Sequence, residues 1–418
     1  MIWDPYGAFQ THTLENGLTI HAVQMSCPWQ RIRCSIHSGG TQDPEDKLGL
    51  AHFTEHLLSQ NAPLPCEEIN DYFNDLGGDA MLGATSYWKT YYSFYIPAKD
   101  DVLKQSLDLF GKMLLSAKLE KNIERERQVI LNEFHKKYPV SFKYDIQMKT
   151  HEVLFKGMAM GRSLDTLGNP ATIKTIEAKD VQSFYDEHYT PANMTIVAVG
   201  AYSLEQLVKF FSESSFAITK QGSRNVLEPI VSFPDVDKQR IEIVISDYVD
   251  TKLFAPSFSY ESYVKIPLSF SEAAVAICCR MLTDLLDEEV RQNQGWTYGI
   301  SSKYSQSPQF NKMQIFSASI AIVALDCIEE KIDGIISAII NSEALFEKIR
   351  NNKLAASLMD DESGSMILNT ASEEIFYHGK TTSMSEHQSN LRTVTFQDVC
   401  DVAAYWKTKK RITVINRP

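Results

Sequence analysis

The chain has 418 residues, of which 44% are hydrophobic and 22% are charged, and its formal net charge at pH 7 is −12. This length exceeds what one hydrophobic core usually holds, so we expect two domains of about 200 residues each. The acidic balance argues against general nucleic-acid binding, which requires a basic surface, and favours cationic partners such as basic peptides. No uncharged apolar run reaches the length of a membrane-spanning helix, so we expect no membrane partner.

The cysteines and the amino-terminal residues bear on the cellular compartment. Seven cysteines are scattered along the chain and none forms a C-x-x-C pair, which excludes a disulfide framework and a cysteine zinc site. The first residues lack the basic and apolar regions of a secretory signal. We therefore predict a cytoplasmic protein.

The first predicted elements are β-strands. Asn16 and Gly17 separate two alternating segments between residues 11 and 23, a pattern that is typical of a β-hairpin. Residues 31–37 alternate again and predict a half-buried strand, with His37 on its surface.

The next stretch, residues 49–60, contains the motif H-x-x-E-H, formed by His52, Glu55 and His56. In a helix, His52 and His56 lie one turn apart on one face, where two imidazoles can occupy two corners of a zinc tetrahedron. Glu55 lies on the same side, and its carboxylate can take a proton from a water held on the metal. The motif thus predicts a catalytic zinc site, which needs a third protein ligand.

The chain beyond the motif supplies a candidate for that third ligand. Residues 119–136 predict a helix in which Glu126 and Glu133 are seven residues apart, two turns along one face. This spacing places one carboxylate at the metal and the other behind it, where it can orient a ligand histidine. Between the motif and this helix, the sequence predicts helices over residues 67–76 and 100–116 and a strand over residues 84–96.

These residues together resemble the inverzincin signature, in which the H-E-x-x-H order of other zinc peptidases is reversed. The chain is similar to the peptidases grouped with pitrilysin, insulin-degrading enzyme and the mitochondrial processing peptidase. In that family the third zinc ligand is a Glu at the spacing seen here, 77 residues from His56 to Glu133. The resemblance implies that His52, His56 and Glu133 bind Zn2+, that Glu55 is the catalytic base, and that Glu126 supports catalysis from behind a ligand.

Residues 82–92 resemble the substrate-binding strand of the same family, whose pattern is N-A-x-T-S-x-x-x-T-x-Y. Thr85 matches this pattern, whereas Leu82 and Gly83 stand where the family has Asn and Ala. In the family this edge strand binds the substrate as an added β-strand through main-chain hydrogen bonds. The resemblance implies that Leu82, Gly83, Ala84 and Thr85 bind the substrate. Because Leu82 has no side-chain amide, it predicts altered or weaker peptide binding.

The second half of the chain repeats the order of the first half. Strands near residues 240–246 and 254–259 precede a helix over residues 270–291, which takes the place of the motif helix but carries no histidine. The sequence that follows resembles the family's R-E-x-x-G-L-A-Y, with Arg291 and Tyr298 at the same spacing. The resemblance implies that this pair reaches the zinc of a facing half and stabilises the anion that forms on the substrate carbonyl.

The sequence therefore predicts an α+β fold of two related domains, each a mostly antiparallel sheet packed with helices. We place a zinc-bearing domain at residues 1–220, a linker at 221–238 and a metal-free domain at 239–418. The family's complete chamber has four such domains, so the resemblance implies two chains facing each other as a clamshell. That assembly is a homodimer or a heterodimer with a related subunit. The expected function is a zinc-dependent endopeptidase that cleaves short or unfolded peptides in an enclosed chamber.

Two other functions stay open at this point. The chain is alternatively a peptide-binding or assembly subunit that retains a metal site, or a maturation protease dedicated to one precursor peptide. Glu55 favours an enzyme over an assembly subunit, because a structural metal site needs no base.

Overall fold

The computed structural model of the chain describes residues 3–61, 66–139, 144–145, 147–148, 151–152, 155–226, 239–244, 259–305, 307, 309–317, 319–357, 363–408 and 412–417. Its strands in chain order are β1 (Gln10–Thr13), β2 (Thr19–Gln24), β3 (Trp29–Ile36), β4 (Asp79–Thr85), β5 (Thr90–Pro97), β6 (Met194–Gly200), β7 (Gln239–Val244), β8 (Ser259–Ile266), β9 (Ser301–Ser305), β10 (Asn311–Ser317) and β11 (Ile412–Arg417).

The helices complete the α+β fold that the sequence predicts. They are α1 (Leu50–Gln60), α2 (Cys66–Asp75), α3 (Asp100–Leu115), α4 (Ile123–Lys137), α5 (Pro170–Thr175), α6 (Ala178–His188), α7 (Leu204–Ser212), α8 (Glu272–Leu286), α9 (Ile328–Ala338), α10 (Glu343–Ala356), α11 (Gly364–His378), α12 (Met384–Thr393) and α13 (Phe396–Thr408). Within the described parts of the chain, no helix combines the length and the hydropathy that a membrane span requires.

The chain divides into two compact units, each with its own sheet and hydrophobic core. Unit 1 comprises Met1–Tyr144, Phe155–Val226 and Asp361–Met384. Unit 2 comprises Asp145–Leu154, Leu227–Asp360 and Ser385–Pro418.

The sheets of the two units have the same topology. In unit 1, β2 is parallel to β6, and β3, β5 and β4 follow in antiparallel order. In unit 2, β7 is parallel to β11, and β8, β10 and β9 follow in antiparallel order. Within the described residues sheet 1 has one more strand, β1, which pairs with β2 across the predicted hairpin. Unit 2 is therefore a structural repeat of unit 1, as the order of the predicted elements indicates.

The division into units differs from the predicted domain boundaries in two segments. Asp145–Leu154, which the prediction placed in the zinc-bearing domain, belong to unit 2. The second segment contains α11. The prediction assigned all residues from 239 onward to the second domain, but α11 packs on β3 and β6 in unit 1. There Ile367 and Ile375 bury their side chains against Val197 and Val199. Helical periodicity identifies an apolar face, but it does not identify the sheet that this face covers. Most of the predicted linker at 221–238, and most of the predicted strand at 254–259, lie outside the described residues.

The position of α11 also corrects the prediction for His37. Alternation along the chain placed this residue on the surface, yet its side chain is buried, because α11 covers the second face of sheet 1. The imidazole stacks on the ring of Phe376 with 4.6 Å between centroids. Its Nε2 lies 2.9 Å from Oγ1 of Thr195.

Candidate metal centre and catalytic site

Helix α1 begins at a fixed point of the loop that precedes it. The buried carboxylate of Asp43 accepts hydrogen bonds from the backbone N–H groups of Gly49 (2.7 Å) and Ala51 (2.8 Å), which have no partner inside the helix. Gly49 has φ +97°, and a Cβ at this position would lie 2.7 Å from the carbonyl oxygen of Leu167. Only glycine fits here without strain, so the loop fixes the start of α1 just before His52.

The motif histidines of α1 meet Glu133 of α4. Oε2 of Glu133 lies 3.8 Å from Nε2 of His52 and 3.6 Å from Nε2 of His56. One ligand atom from each of the three residues falls within 4.8 Å of the other two. The imidazole centroids are 4.6 Å apart, with the rings close to perpendicular. The structure thus brings together the three residues that the sequence singled out as metal ligands.

The second carboxylate of α4 lies behind one of these histidines. Oε2 of Glu126 is 3.2 Å from Nδ1 of His56, and Glu126 is almost completely buried. A carboxylate in this place fixes the ring orientation in which Nε2 of His56 faces Glu133. The relative positions of Glu126 and Glu133 are those that the seven-residue spacing predicts.

Arg127 links α4 to its neighbours, and the sequence analysis did not single it out. Its guanidinium donates to the carbonyl oxygens of Ile173 and Ile176 and to the carboxylate of Glu124. It also lies 5.6 Å from the ring centroid of Phe53, the residue after His52. Its position between Glu126 and Glu133 in the sequence is only a weak indication of this linking role, because an Arg in such a helix ordinarily lies on the exposed face.

The His–His–Glu cluster fits zinc. Two zinc–ligand bonds of about 2.1 Å at a tetrahedral angle place their donor atoms about 3.4 Å apart, and the measured separations exceed this by a few tenths of an ångström. Two imidazoles and one carboxylate form a donor set found in catalytic zinc sites, in which the fourth position is left open. Binding would draw the three donors together by small side-chain movements.

The ionisation states of the cluster also suit a cation. Burial, followed by the neighbouring His56, lowers the pKa of His52 to about 4, so its ring is neutral at pH 7. A hydrogen bond with His56 holds the pKa of Glu133 below its usual value, so its carboxylate is charged. Burial lowers the pKa of His56, but hydrogen bonds and charges from the surrounding carboxylates outweigh burial and raise it. The raised pKa favours a second proton on the ring of His56. A bound zinc ion would displace that proton, since zinc binds the neutral ring.

Glu55 lies beside the cluster without belonging to it. Its Oε2 is 4.0 Å from Nε2 of His52 and accepts a hydrogen bond of 3.0 Å from the hydroxyl of Thr85. The residue is buried, and this burial raises the pKa of its carboxyl to about 7. A carboxylate with a pKa near neutrality is suited to accept a proton and then to return it.

Strand β4, which carries the predicted substrate-binding residues, is at the edge of sheet 1. Its pairing with β5 shifts in register between Met81 and Ala84, so Leu82 and Gly83 form a β-bulge. The side chain of Leu82 packs against the hydrophobic core of unit 1. The side chain of Thr85 instead contacts Glu55. Among the described residues no further strand pairs with the outer edge of β4, and this edge can form main-chain hydrogen bonds with a peptide.

The predicted Arg–Tyr pair belongs to unit 2. Arg291 lies in a π-helical turn, Asp287–Asn293, that continues α8, and its guanidinium pairs with Asp287 at 3.0 Å. Tyr298 is 90% exposed, and its ring centroid lies 5.7 Å from the guanidinium carbon of Arg291. The two side chains are thus neighbours on the surface of unit 2.

Two duplicated α+β units, one with a His–His–Glu cluster beside a buried carboxylate, are the arrangement that the resemblance to the reversed-motif peptidases implies. Comparison with known families agrees with this class. The model described as insulinase (peptidase family M16) matches residues 28–165, and the model described as peptidase M16 inactive domain matches residues 175–358. The chain belongs to peptidase family M16, the insulinase family.

Individual relatives are similar to the chain in part of its sequence or in its fold. It is 29% identical over 215 residues to the β subunit of the mitochondrial-processing peptidase from Dictyostelium discoideum, a match over 50% of this chain and 44% of that protein. The chain thus spans less than half of the length of that relative. A protease from Helicobacter pylori has the same fold, with a TM-score of 0.79 at 18% identity and complete coverage of both chains. The periplasmic protease PqqL from Escherichia coli superposes with a TM-score of 0.78 at 15% identity, over 98% of this chain and 47% of that one.

Proposed function

We propose that this protein is a zinc-dependent endopeptidase that cleaves short or unfolded peptides. The observation that carries the proposal is the buried carboxylate of Glu55, 4.0 Å from His52 and next to the His–His–Glu cluster. A purely structural metal site does not require a buried base, and burying such a group without a use costs stability.

The residues of unit 1 divide the chemistry among them. His52, His56 and Glu133 would hold Zn2+, and Glu126 would keep the ring of His56 in orientation. When bound, zinc supplies a Lewis acid that lowers the pKa of water and polarises the peptide carbonyl. Glu55 accepts the proton of the attacking water and delivers it to the leaving amine, a use that its pKa of about 7 allows.

The edge of β4 offers a way to bind peptides of varied sequence. A substrate that pairs with this edge gains affinity from main-chain hydrogen bonds, which depend little on side chains. Leu82 cannot supply the amide that the family's Asn provides, so we expect weaker or altered binding next to the bulge.

We also propose that Arg291 and Tyr298 complete the site of a facing chain, in a homodimer that encloses the substrate. The exposure of Tyr298 and the surface position of its neighbour Arg291 support this proposal. So does the length of PqqL, of which this chain covers 47%. A guanidinium and a phenol are suitable donors for the anion that develops on a substrate carbonyl.

Hydrolysis of an internally quenched fluorescent peptide tests the peptidase proposal. Wild-type protein should cleave it, a chelator should abolish cleavage, and added Zn2+ should restore it. Glu55→Gln should lower kcat/KM by about 10²–10⁴-fold while zinc content is unchanged, because it removes the base and no ligand. The matched control is Glu68→Gln on α2, an exposed residue, which should leave the rate unchanged. A protein that holds zinc but cleaves no peptide would be an assembly subunit instead.

Complementation between two inactive variants tests the facing-chain proposal. When Arg291→Ala and Glu55→Gln chains are mixed, each mixed dimer contains one site with an intact Glu55 and an intact facing Arg291. Random mixing should therefore recover roughly a quarter of wild-type activity. If Arg291 acts within its own chain, or a different subunit is the partner, mixing recovers nothing.

A maturation protease for one precursor remains the second candidate, and the replacement of the family's Asn and Ala by Leu82 and Gly83 favours it. A narrowed set of substrates is the expected result of an altered binding strand. Peptides that copurify with the Glu55→Gln protein distinguish the two candidates. A single recurrent sequence indicates a dedicated precursor, and a mixture indicates a general peptidase.

A further inference from the structure

One hydroxyl of the predicted substrate strand faces the proposed base. Oγ1 of Thr85 donates a hydrogen bond of 3.0 Å to Oε2 of Glu55. The same oxygen lies 3.5 Å from Oγ1 of Thr90 on the paired strand. A hydroxyl has one hydrogen, and here the carboxylate accepts it, so Thr85 has no hydrogen left to donate to a substrate carbonyl.

The backbone of the same strand closes over the other oxygen of this carboxylate. A Cβ on Gly83 would lie 2.2 Å from Oε1 of Glu55 and 2.5 Å from its Cγ, a separation that side-chain atoms do not reach. Gly83 also has φ +149°, a conformation that favours glycine. The bulge that contains Gly83 thus brings the main chain of β4 directly against Glu55.

The end of β4 is held in place independently of Glu55. The hydroxyl of Thr166 donates to the carbonyl oxygen of Thr85 at 3.2 Å. Backbone N–H groups of Gly40 and Thr41 donate to the next two carbonyl oxygens of the chain, at 3.0 and 2.8 Å. Thr85 is therefore a fixed donor against which a carboxylate can be oriented, because its own main chain is anchored from two sides.

We propose that Thr85 is a positioning residue for Glu55 and not a substrate contact, and that Gly83 provides the space in which Glu55 is held. This inference rests on the proposed peptidase function, because it assigns Glu55 the role of base. The hydroxyl selects the rotamer in which Oε2 faces the metal cluster. Substrate binding is then left to the main chain of β4.

The test compares Thr85→Val, which removes the hydroxyl at nearly constant shape, with Thr85→Ser, which keeps it. Thr85→Val should lower kcat about 10-fold, the effect of one hydrogen bond to a charged group, and leave KM unchanged. Thr85→Ser should restore most of the rate. The control is Thr13→Val on β1, whose hydroxyl faces Thr19 at an exposed strand pair and which should behave as wild type.

Two further measurements do not depend on turnover. Crystal structures of the zinc-loaded proteins should show Glu55 in one rotamer in the wild type and Thr85→Ser, and rotated or disordered in Thr85→Val. Peptide affinity, measured by fluorescence anisotropy in the Glu55→Gln background, should be the same with and without the additional Thr85→Val substitution. A crystal structure of the zinc-loaded Gly83→Ala protein should show the Glu55 carboxylate displaced from its wild-type position.

Three outcomes would overturn the inference. An increase in KM and a loss of peptide affinity in Thr85→Val would make Thr85 a substrate contact. A fall in melting temperature and zinc content, with equal effects on every kinetic parameter, would make it a purely structural residue. An unchanged Glu55 rotamer would exclude positioning. If wild-type protein cleaves no peptide, the peptidase proposal fails, while the crystal structures still decide whether Thr85 orients Glu55.

Discussion

Helices α1 and α8 occupy the same place in the two repeats, yet they bury different kinds of side chain. Strands β2–β6 of sheet 1 correspond to strands β7–β11 of sheet 2. In chain order, α1 follows β3 and α8 follows β8, which are the second strands of these two sets. Helix α1 buries His52, Thr54 and Glu55 among its apolar residues. Helix α8 buries a continuous apolar and thiol face: Ala274, Val275, Ile277, Cys278, Cys279, Met281, Leu282 and Leu286.

The difference shows that the fold itself does not require polar groups on this helix. Unit 2 forms the same sheet with an apolar helix at this position, so the polar residues of α1 are there for a reason other than folding. Burying a carboxylate and imidazoles costs free energy unless charges, hydrogen bonds or a metal offset the lost hydration. In unit 1 the offset comes from Glu126, Glu133 and Thr85, which converge on α1 from other elements.

Removing one of these converging groups should have the largest effect. Glu133→Ala should lower zinc affinity by more than about 100-fold, the upper range for a residue that merely supports a ligand, because it removes a donor. Peptide cleavage should fall below detection in the same preparation. Competition with a fluorescent zinc chelator measures the affinity. Glu120→Ala removes an exposed carboxylate outside the cluster and is the matched control. Zinc affinity equal to wild type in Glu133→Ala would show that Glu133 is no ligand.

The corresponding change in α8 should act on stability alone. Leu282 is completely buried in the core of unit 2, and Leu282→Ala should lower the free energy of unfolding by about 2–5 kcal/mol. Zinc content should not change. Denaturant titration followed by fluorescence provides the measurement. In Ile340→Ala the truncated side chain is 60% exposed in the wild type, so about 0.5 kcal/mol or less is expected. A loss of zinc in Leu282→Ala would mean that the two repeats are not independent in this respect.

The features of the candidate site in unit 1 differ in how far the sequence predicts them. The shared faces of His52 with His56, and of Glu126 with Glu133, were predictable because helix geometry converts a four-residue or seven-residue separation into a shared face. The assignment of Glu133 as the third residue of the cluster came from the family resemblance. The role of Asp43 was not predictable, because its partners are backbone N–H groups that any sequence carries. The contact of Thr85 with Glu55 depends on a bulge, and the residues Leu82 and Gly83 do not by themselves specify its register.

Longer-range packing escaped prediction for a related reason. Alternation along β3 marks one face of the sheet as polar, which usually means solvent. Here a helix more than 300 residues further along the chain covers that face, so that His37 is buried against Phe376 of α11 and Arg33 donates a hydrogen bond to Asn369. Local periodicity carries no information about such a distant partner.

His37 provides the smallest of the expected effects and tests the cost of polar burial away from the His–His–Glu cluster. Burial, and then the charges of Arg224 and Lys89, lower its pKa from 6.5 to about 3. The unfolded chain therefore binds a proton below pH 6.5 that the folded protein does not bind, so stability falls as pH drops from 6.5 toward 3. At pH 5 the loss of unfolding free energy from this group should be about 2 kcal/mol.

The change in unfolding free energy between pH 7 and pH 5 should shrink by that amount in His37→Gln. It should stay at the wild-type value in His12→Gln, which alters an exposed imidazole of β1 in the same unit. Equal pH dependence in both variants would mean that His37 takes up a proton in the folded protein as readily as in the unfolded chain, so that its burial carries no such cost.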